Sequence, residues 1–177
     1  MKINAIAMSI FIVTLAACGA APKTPSEFKA QVNGGAMGHQ KESYTVNRPF
    51  QEVAKTLEQK ANECLNVAVE SARTYKINHA QTTASHTVTY HPAFKMSENN
   101  AELQVRQKVR GDNIVKFQAE PEGGYIALVA DTKPLDKSTS QVEVYYAKYK
   151  AGTLVIAVKN WAIGKDLRCP DLLEDNP

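Results

Sequence analysis

The apolar residues of this chain change their spacing after residue 65, and that change limits the folds open to it. Between residues 50 and 65 they recur at helical intervals, at Phe50, Val53, Ala54, Leu57, Ala61, Cys64 and Leu65. Pro49 precedes them and suits the first turn of a helix, where a missing N–H costs nothing. From Val67 onward apolar and polar residues alternate, which is typical of β-strands. The pattern therefore predicts an α+β fold.

We predict an antiparallel sheet of about six strands. Tyr44 and Val46 lie on one face of a short opening strand before the helix. Later strands are predicted from residue 67 and at 82–90, 103–109, 114–119, 125–131 and 140–149. Turn residues separate these runs, and the short loops favour a meander over parallel crossovers.

A second helix is predicted near the C-terminus. Its apolar stripe comprises Leu154, Ala157, Val158, Trp161 and Ala162. Thr153 is placed to cap the helix and Gly164 to end it. Residues 154–158 would also suit a buried strand, but the apolar pattern continues past residue 160 and favours a helix. The predicted order is strand, helix, strand meander, helix.

This order resembles the helix-grip fold of START and polyketide-cyclase-like domains. The similar segments are YTVNRPFQEVAKTLEQ and GTLVIAVKNWAIG, and the resemblance covers about residues 43–166. It implies an apolar ligand held between the sheet and the closing helix. The candidate ligand-lining residues are Tyr145, Tyr146, Tyr149 and Trp161. Packing between the last strand and the last helix is the favoured alternative for these aromatic side chains.

The N-terminal segment has the pattern of a processed leader. Lys2 precedes an apolar run over residues 5–15, which is shorter than the ~20 residues of a transmembrane helix. The stretch Leu15-Ala16-Ala17-Cys18 then resembles the bacterial lipobox. The resemblance implies cleavage before Cys18 and attachment of three acyl chains to that residue, which would anchor the protein stably in a bilayer. An ordinary signal peptide with a chance cysteine is the alternative.

The lipobox divides the chain into a signal peptide (1–17), a flexible tether (18–40) and a single α+β domain (41–177). The tether is rich in Gly, Ala, Pro and Lys, and we expect at most a turn or two of helix there, from Glu27 to Val32 behind a Ser26 cap. Gly19 follows the cysteine. In the enterobacterial lipoproteins that this segment resembles, an Asp at this position retains the protein in the inner membrane. We therefore expect an outer-membrane protein that faces the periplasm, with the lipid bilayer as its partner through acylated Cys18.

Acylation of Cys18 would leave Cys64 and Cys169 as the remaining cysteines. An even count in an oxidising compartment favours a disulfide between them, and two buried free thiols are the alternative.

Charge and motifs set limits on other partners and on catalysis. The formal net charge of +3 is too small to predict a nucleic-acid partner. Arg106, Lys108 and Arg110 should share the solvent face of one strand, as a stripe for phosphates of lipid A, an anionic polymer or an acidic partner. The wet face of a half-exposed sheet is the favoured alternative for this stripe.

The histidines are too scattered to predict a metal site; they are His39, His79, His86 and His91. The sequence carries no nucleophile motif, and its carboxylates Glu120 and Glu122 flank a turn where solvent is the expected neighbour. We expect no metal, no cofactor and no catalytic role. The expected function is a binding or envelope-maintenance module that contacts an envelope protein. A carrier of an apolar small molecule and an envelope enzyme are the alternatives.

Overall fold

The structure is a computed structural model that describes residues 20–77, 80–111, 120–148 and 151–173. Its helices are α1 (Pro25–Asn33), α2 (Phe50–Cys64) and α3 (Gly152–Ile163). Its strands are β1 (His39–Val46), β2 (Ala68–Ile77), β3 (Ala80–Met96), β4 (Ala101–Gly111), β5 (Tyr125–Pro134) and β6 (Ser140–Ala147). All neighbouring strands pair antiparallel in the order β1-β6-β5-β4-β3-β2. The predicted α+β class is confirmed.

The connections follow the predicted meander. Each strand from β2 to β5 is hydrogen-bonded to the strand that follows it in sequence, and β1 pairs with β6 at one edge of the sheet. Helix α2 therefore carries the chain from that edge to β2 at the opposite edge. The strand expected at 114–119 lies outside the described residues.

The two predicted helices are present, with small differences at their ends. Pro49 is the N-cap residue of α2 and stands just before its first turn. Helix α3 begins after Ala151, so Thr153 lies inside the first turn and does not cap the helix. Gly164 ends α3 with a φ of 71°, a left-handed conformation that glycine adopts without strain.

The predicted flexible tether is wrong over much of residues 18–40. Its described part contains α1, and β1 begins inside it at His39. The Thr24 hydroxyl accepts a hydrogen bond from the Glu27 N–H at 3.2 Å, and the Glu27 carboxylate accepts one from the Thr24 N–H at 3.3 Å. This capping box, rather than Ser26, begins the helix. Two apolar side chains of α1, Phe28 and Val32, are buried against the sheet.

The helices cover the sheet unequally. Helices α2 and α3 lie on one side, here called the two-helix face, and form a continuous core with β-strand side chains. The largest fully buried members of this core include Leu57, Leu103, Leu128, Leu154 and Trp161. Helix α1 lies on the opposite side, the α1 face, where a second cluster comprises Phe28, Val32, Ile126, Val129 and Tyr145.

A disulfide joins the end of α2 to the segment after α3. The Cys64 and Cys169 sulfurs are 1.98 Å apart, and their Cα atoms are separated by 5.2 Å. The predicted pairing is confirmed. Because the two cysteines are 105 positions apart in sequence, the bridge would stabilise the fold by ~4.7 kcal/mol through loss of entropy in the unfolded chain, on the chain-entropy argument. Leu172 is buried in the core just beyond this bridge.

Candidate binding surfaces

The predicted ligand-lining aromatic residues are not gathered around one cavity. Tyr146 and Trp161 belong to the core of the two-helix face, whereas Tyr145 packs against α1 on the other side of the sheet. The two tyrosines are adjacent in β6, so strand alternation sends their rings to opposite faces. Tyr149 lies outside the described residues.

The polar atoms of these buried rings have partners within the domain. The Trp161 Nε1–H donates to the Arg168 carbonyl at 3.1 Å. The Tyr146 hydroxyl lies 2.8 Å from Gln40 Oε1 and 2.9 Å from Glu42 Oε1. Burial, followed by the hydrogen bond to Glu42, raises the pKa of Tyr146 to about 12. Trp161 and Tyr146 are therefore used in packing and in local hydrogen bonds.

Two open grooves lie beside the disulfide. One, of about 290 Å³, runs between α3 and the segment after it, and the other, of about 410 Å³, runs between that segment and the start of β2. Both are lined by Cys169, Pro170 and Asp171. Exposed apolar side chains enter each groove, Ile156 in the first and Leu173 in the second. These grooves are at the surface, outside the layer between the sheet and α3.

The predicted basic stripe is divided by the structure. Arg106 was expected to point to solvent, but its Nη1 donates to the carbonyls of Glu122 at 3.2 Å and Gly124 at 2.9 Å. Its Nη2 donates to the carbonyl of Lys23, and partial burial lowers the pKa of the guanidinium. Arg106 therefore holds backbone segments together, and its expected free exposure is wrong.

Lys108 and Arg110 continue along the same face of β4. Lys108 is half-buried and Arg110 is exposed. Within the part of the chain that the structure describes, neither side chain has a hydrogen-bond or ion-pair partner. These two residues are what remains of the predicted stripe as a site for an anion.

A polar contact on the α1 face has no counterpart in the sequence prediction. Lys29 Nζ in α1 lies 2.8 Å from Glu102 Oε2 on β4, and 2.9 Å and 3.1 Å from the two carboxylate oxygens of Asp131 on β5. Burial lowers the pKa of Lys29, but the hydrogen bonds to Glu102 and Asp131 outweigh it and the net pKa is raised. The contact holds α1 on the sheet as an ion pair with both acidic side chains.

The histidines do not converge. The His39 ring contacts the Phe28 ring edge-on, with centroids 5.4 Å apart, and His86 and His91 lie on opposite faces of β3. His79 lies outside the described residues. Among residues 20–77, 80–111, 120–148 and 151–173, no group of three or more histidine, cysteine or acidic side chains is placed to hold a metal ion.

None of the described helices combines the length and the apolar character needed to cross a membrane. No family model matches the chain, and no curated protein matches it. A solved structure described as a conserved protein from Geobacillus kaustophilus is similar, with a TM-score of 0.36 and 13% identity. The similarity covers 72% of this chain and 91% of that one. At this TM-score it bears neither on the fold nor on the function of the present protein.

Proposed function

We propose that this protein is a lipid-anchored lipoprotein of the bacterial envelope. In this proposal acylated Cys18 holds the mature chain on the periplasmic side of the outer membrane, and the domain is a non-catalytic binding or envelope-maintenance module. The observation that carries the proposal is the complete box Leu15-Ala16-Ala17-Cys18 at the end of a short apolar run that follows Lys2. Gly19 supports the outer membrane over the inner membrane.

The packing of the domain supports a binding module over a carrier. A carrier of the helix-grip type would hold its ligand between the sheet and α3. In this protein that layer contains Leu154, Val158 and Trp161, all fully buried against the sheet. Their positions favour a partner that meets the outer surface of the domain, such as another envelope protein. The Cys64–Cys169 disulfide is consistent with an oxidising compartment.

Replacing the proposed acylation site tests the anchor. We expect Cys18→Ser to abolish acylation, because the thiol is the group that receives the lipid, and to leave the chain unprocessed or in the soluble fraction. Mass spectrometry of the N-terminal peptide and membrane fractionation measure both effects. Ala20→Ser is the matched control, because it introduces the same residue beyond the box and should leave processing unchanged. Unchanged membrane association of Cys18→Ser would refute the proposed anchor.

The same purified, acylated protein separates a binding module from a carrier. Native mass spectrometry should give the mass of the acylated chain alone. A stoichiometric apolar molecule that stays bound after detergent exchange would instead assign the carrier function.

A further inference from the structure

The described part of the chain begins at Ala20, two residues after the proposed acylation site Cys18. The carbonyl of Ala20 accepts a hydrogen bond from Gln31 Nε2 at 3.3 Å, and the carbonyl of Lys23 accepts one from Arg106. Gln31 is seven residues beyond the Thr24 cap, which corresponds to about 10 Å along α1. Residues 20–23 therefore run back along the helix instead of leading away from the domain.

This arrangement limits the distance between the lipid and the domain. Ala20 is two residues from Cys18, so the Cα atoms of these residues can be at most ~7 Å apart. A bilayer that holds acylated Cys18 must then lie close to the α1 face. The 22 residues expected between Cys18 and the domain would have spanned roughly 25 Å as a flexible coil, whereas a link of this length keeps the domain near the bilayer.

Helix α1 is itself packed and ion-paired on the sheet. Residues 20–23 therefore connect the proposed acylation site to a helix that is held in place by the domain. Phe28 and Val32 are buried against β5 and β6, and Lys29 is paired with Glu102 and Asp131. Through these contacts, a lipid at Cys18 would limit the position of the whole domain.

The charges beside residues 20–23 suit an anionic surface. Arg106 binds the carbonyl of Lys23, and the next residues on the same face of β4 are Lys108 and Arg110, at steps of about 7 Å. On β3 the polar residues Thr89 and Thr87 stand directly opposite them.

Two described glutamates stand near the two cations. Glu122 lies in the turn beside Arg106, and Glu70 on β2 stands opposite Thr87. Within the described part of the chain, neither glutamate is ion-paired with Lys108 or Arg110. The carboxylates of Glu102 and Asp131 are already paired with Lys29.

We infer that the acylated protein lies with its α1 face against the membrane, where Lys108 and Arg110 contact the phosphates of anionic phospholipid headgroups. This inference rests on the proposed acylation of Cys18. The acyl chains supply the affinity, and the two cations fix the orientation, because each basic side chain near an anionic bilayer favours the bound arrangement by about fivefold.

Lysine footprinting of the full acylated mature chain tests the orientation. The protein is placed in detergent micelles, in neutral phosphatidylcholine vesicles, or in vesicles with phosphatidylglycerol, and is pulsed with acetic anhydride before mass spectrometry. On the anionic vesicles we expect Lys108 and Lys23 to react about fivefold more slowly than in detergent. Lys55 on α2 and Lys159 on α3, both exposed on the other side of the sheet, should react equally in all three. Salt at about 1 M, where the Debye length is ~3 Å, should remove the charge-dependent part of the protection.

A matched pair of variants separates the headgroup contact from the anchor. Arg110→Gln should weaken the protection of Lys108, whereas Lys159→Gln, which removes the same charge from α3, should not. If Lys108 reacts as fast on anionic vesicles as in detergent, in a protein whose N-terminal peptide carries acyl chains, the inference is overturned and the proposed lipoprotein function stands. Equal protection on neutral and anionic vesicles would refute the contact with anionic headgroups, because both lipids carry a phosphate and differ in net charge. An N-terminal peptide without acyl chains would overturn the proposed function and the inference with it.

Discussion

The two faces of the sheet are stabilised in different ways. On the two-helix face, α2 and α3 enclose a continuous apolar core that includes Trp161, and the Cys64–Cys169 bridge ties its outer elements together. On the α1 face, a nine-residue helix buries Phe28 and Val32 and depends otherwise on the ion pairs of Lys29. Because its apolar core is the larger, we expect the first face to supply most of the stability of the domain. The second positions the N-terminal segment, and so the proposed lipid, relative to the domain.

This difference implies different modes of opening. A helix of nine residues is shorter than the ~12–15 residues that an isolated helix needs in water, so α1 should unfold when it leaves the sheet. The elements of the two-helix face share one core and should unfold together. Local opening of α1 is therefore expected at a lower free energy than global unfolding.

The largest effect is expected from a cavity in the two-helix face. Trp161→Ala removes a fully buried side chain together with its hydrogen bond to the Arg168 carbonyl, and should lower the free energy of unfolding by about 3–5 kcal/mol. Urea denaturation followed by circular dichroism measures this change, since the variant lacks the single tryptophan of the chain.

The control for this variant lies on the same helix. Ile156 is 61% exposed, and Ile156→Ala should change the stability by no more than about 0.5 kcal/mol. A loss with Trp161→Ala that is confined to faster hydrogen exchange in α3, with the other elements unchanged, would contradict a single cooperative core on this face.

A smaller and more local effect is expected on the α1 face. Phe28→Ala removes the most buried side chain of α1 and should cost up to about 3 kcal/mol, because undocking of the helix limits the loss. Hydrogen exchange should become faster in α1, while the slowest amides of β5 and the fluorescence of Trp161 stay unchanged.

Ser26→Ala is the matched control in α1, because Ser26 is exposed and the cap is provided by Thr24. It should leave exchange in α1 close to that of the original protein. If Phe28→Ala accelerates exchange equally in α1 and β5, the two faces form one cooperative unit and the distinction between them is lost.

The same difference explains how much of the fold the sequence predicts. Burial on the two-helix face imposes a clear period on long segments, so α2, α3 and the β-strands could be predicted from apolar spacing. Helix α1 offers only Phe28 and Val32 among polar and small residues, and this signal is too weak to separate a docked helix from a tether. The local indication was Thr24 followed three residues later by Glu27, a capping box with Pro25 at the first helical position.

The candidate binding surfaces show a second limit to what can be predicted from the sequence. Strand alternation correctly places Arg106, Lys108 and Arg110 on one face, but it gives no information on their partners. The partners of Arg106 are carbonyls of Lys23, Glu122 and Gly124, which are 83, 16 and 18 residues away in sequence. Every residue has a backbone carbonyl, so no side-chain pattern marks these contacts. The grooves beside Cys169 likewise depend on where the disulfide places the C-terminal segment.

The smallest effect is expected from two adjacent tyrosines, one on each face. Tyr146→Phe removes a hydroxyl shared by Gln40 and Glu42 and should cost about 1 kcal/mol at neutral pH. Tyr145→Phe on the α1 face removes a longer bond, 3.2 Å to Glu143, and should cost about half as much. Urea denaturation measures the free energy of unfolding of the two variants, and so compares one tyrosine hydrogen bond on each face of the sheet.

Alkaline pH distinguishes these tyrosine variants further. The folded pKa of Tyr146 is about 12, above its ordinary value of 10.0, so its protonated form is favoured by folding. The stability contributed by this shift is fully present below pH 10 and is lost as pH rises towards 12. The advantage of the original protein over Tyr146→Phe should therefore shrink across that range, and a phenolate absorbance titration should lose a group that ionises near 12. A difference in the free energy of unfolding that stays constant from pH 9 to 12 would show that the hydroxyl of Tyr146 ionises equally in the folded and unfolded chain. It would contradict the burial of this hydroxyl at the edge of the two-helix face.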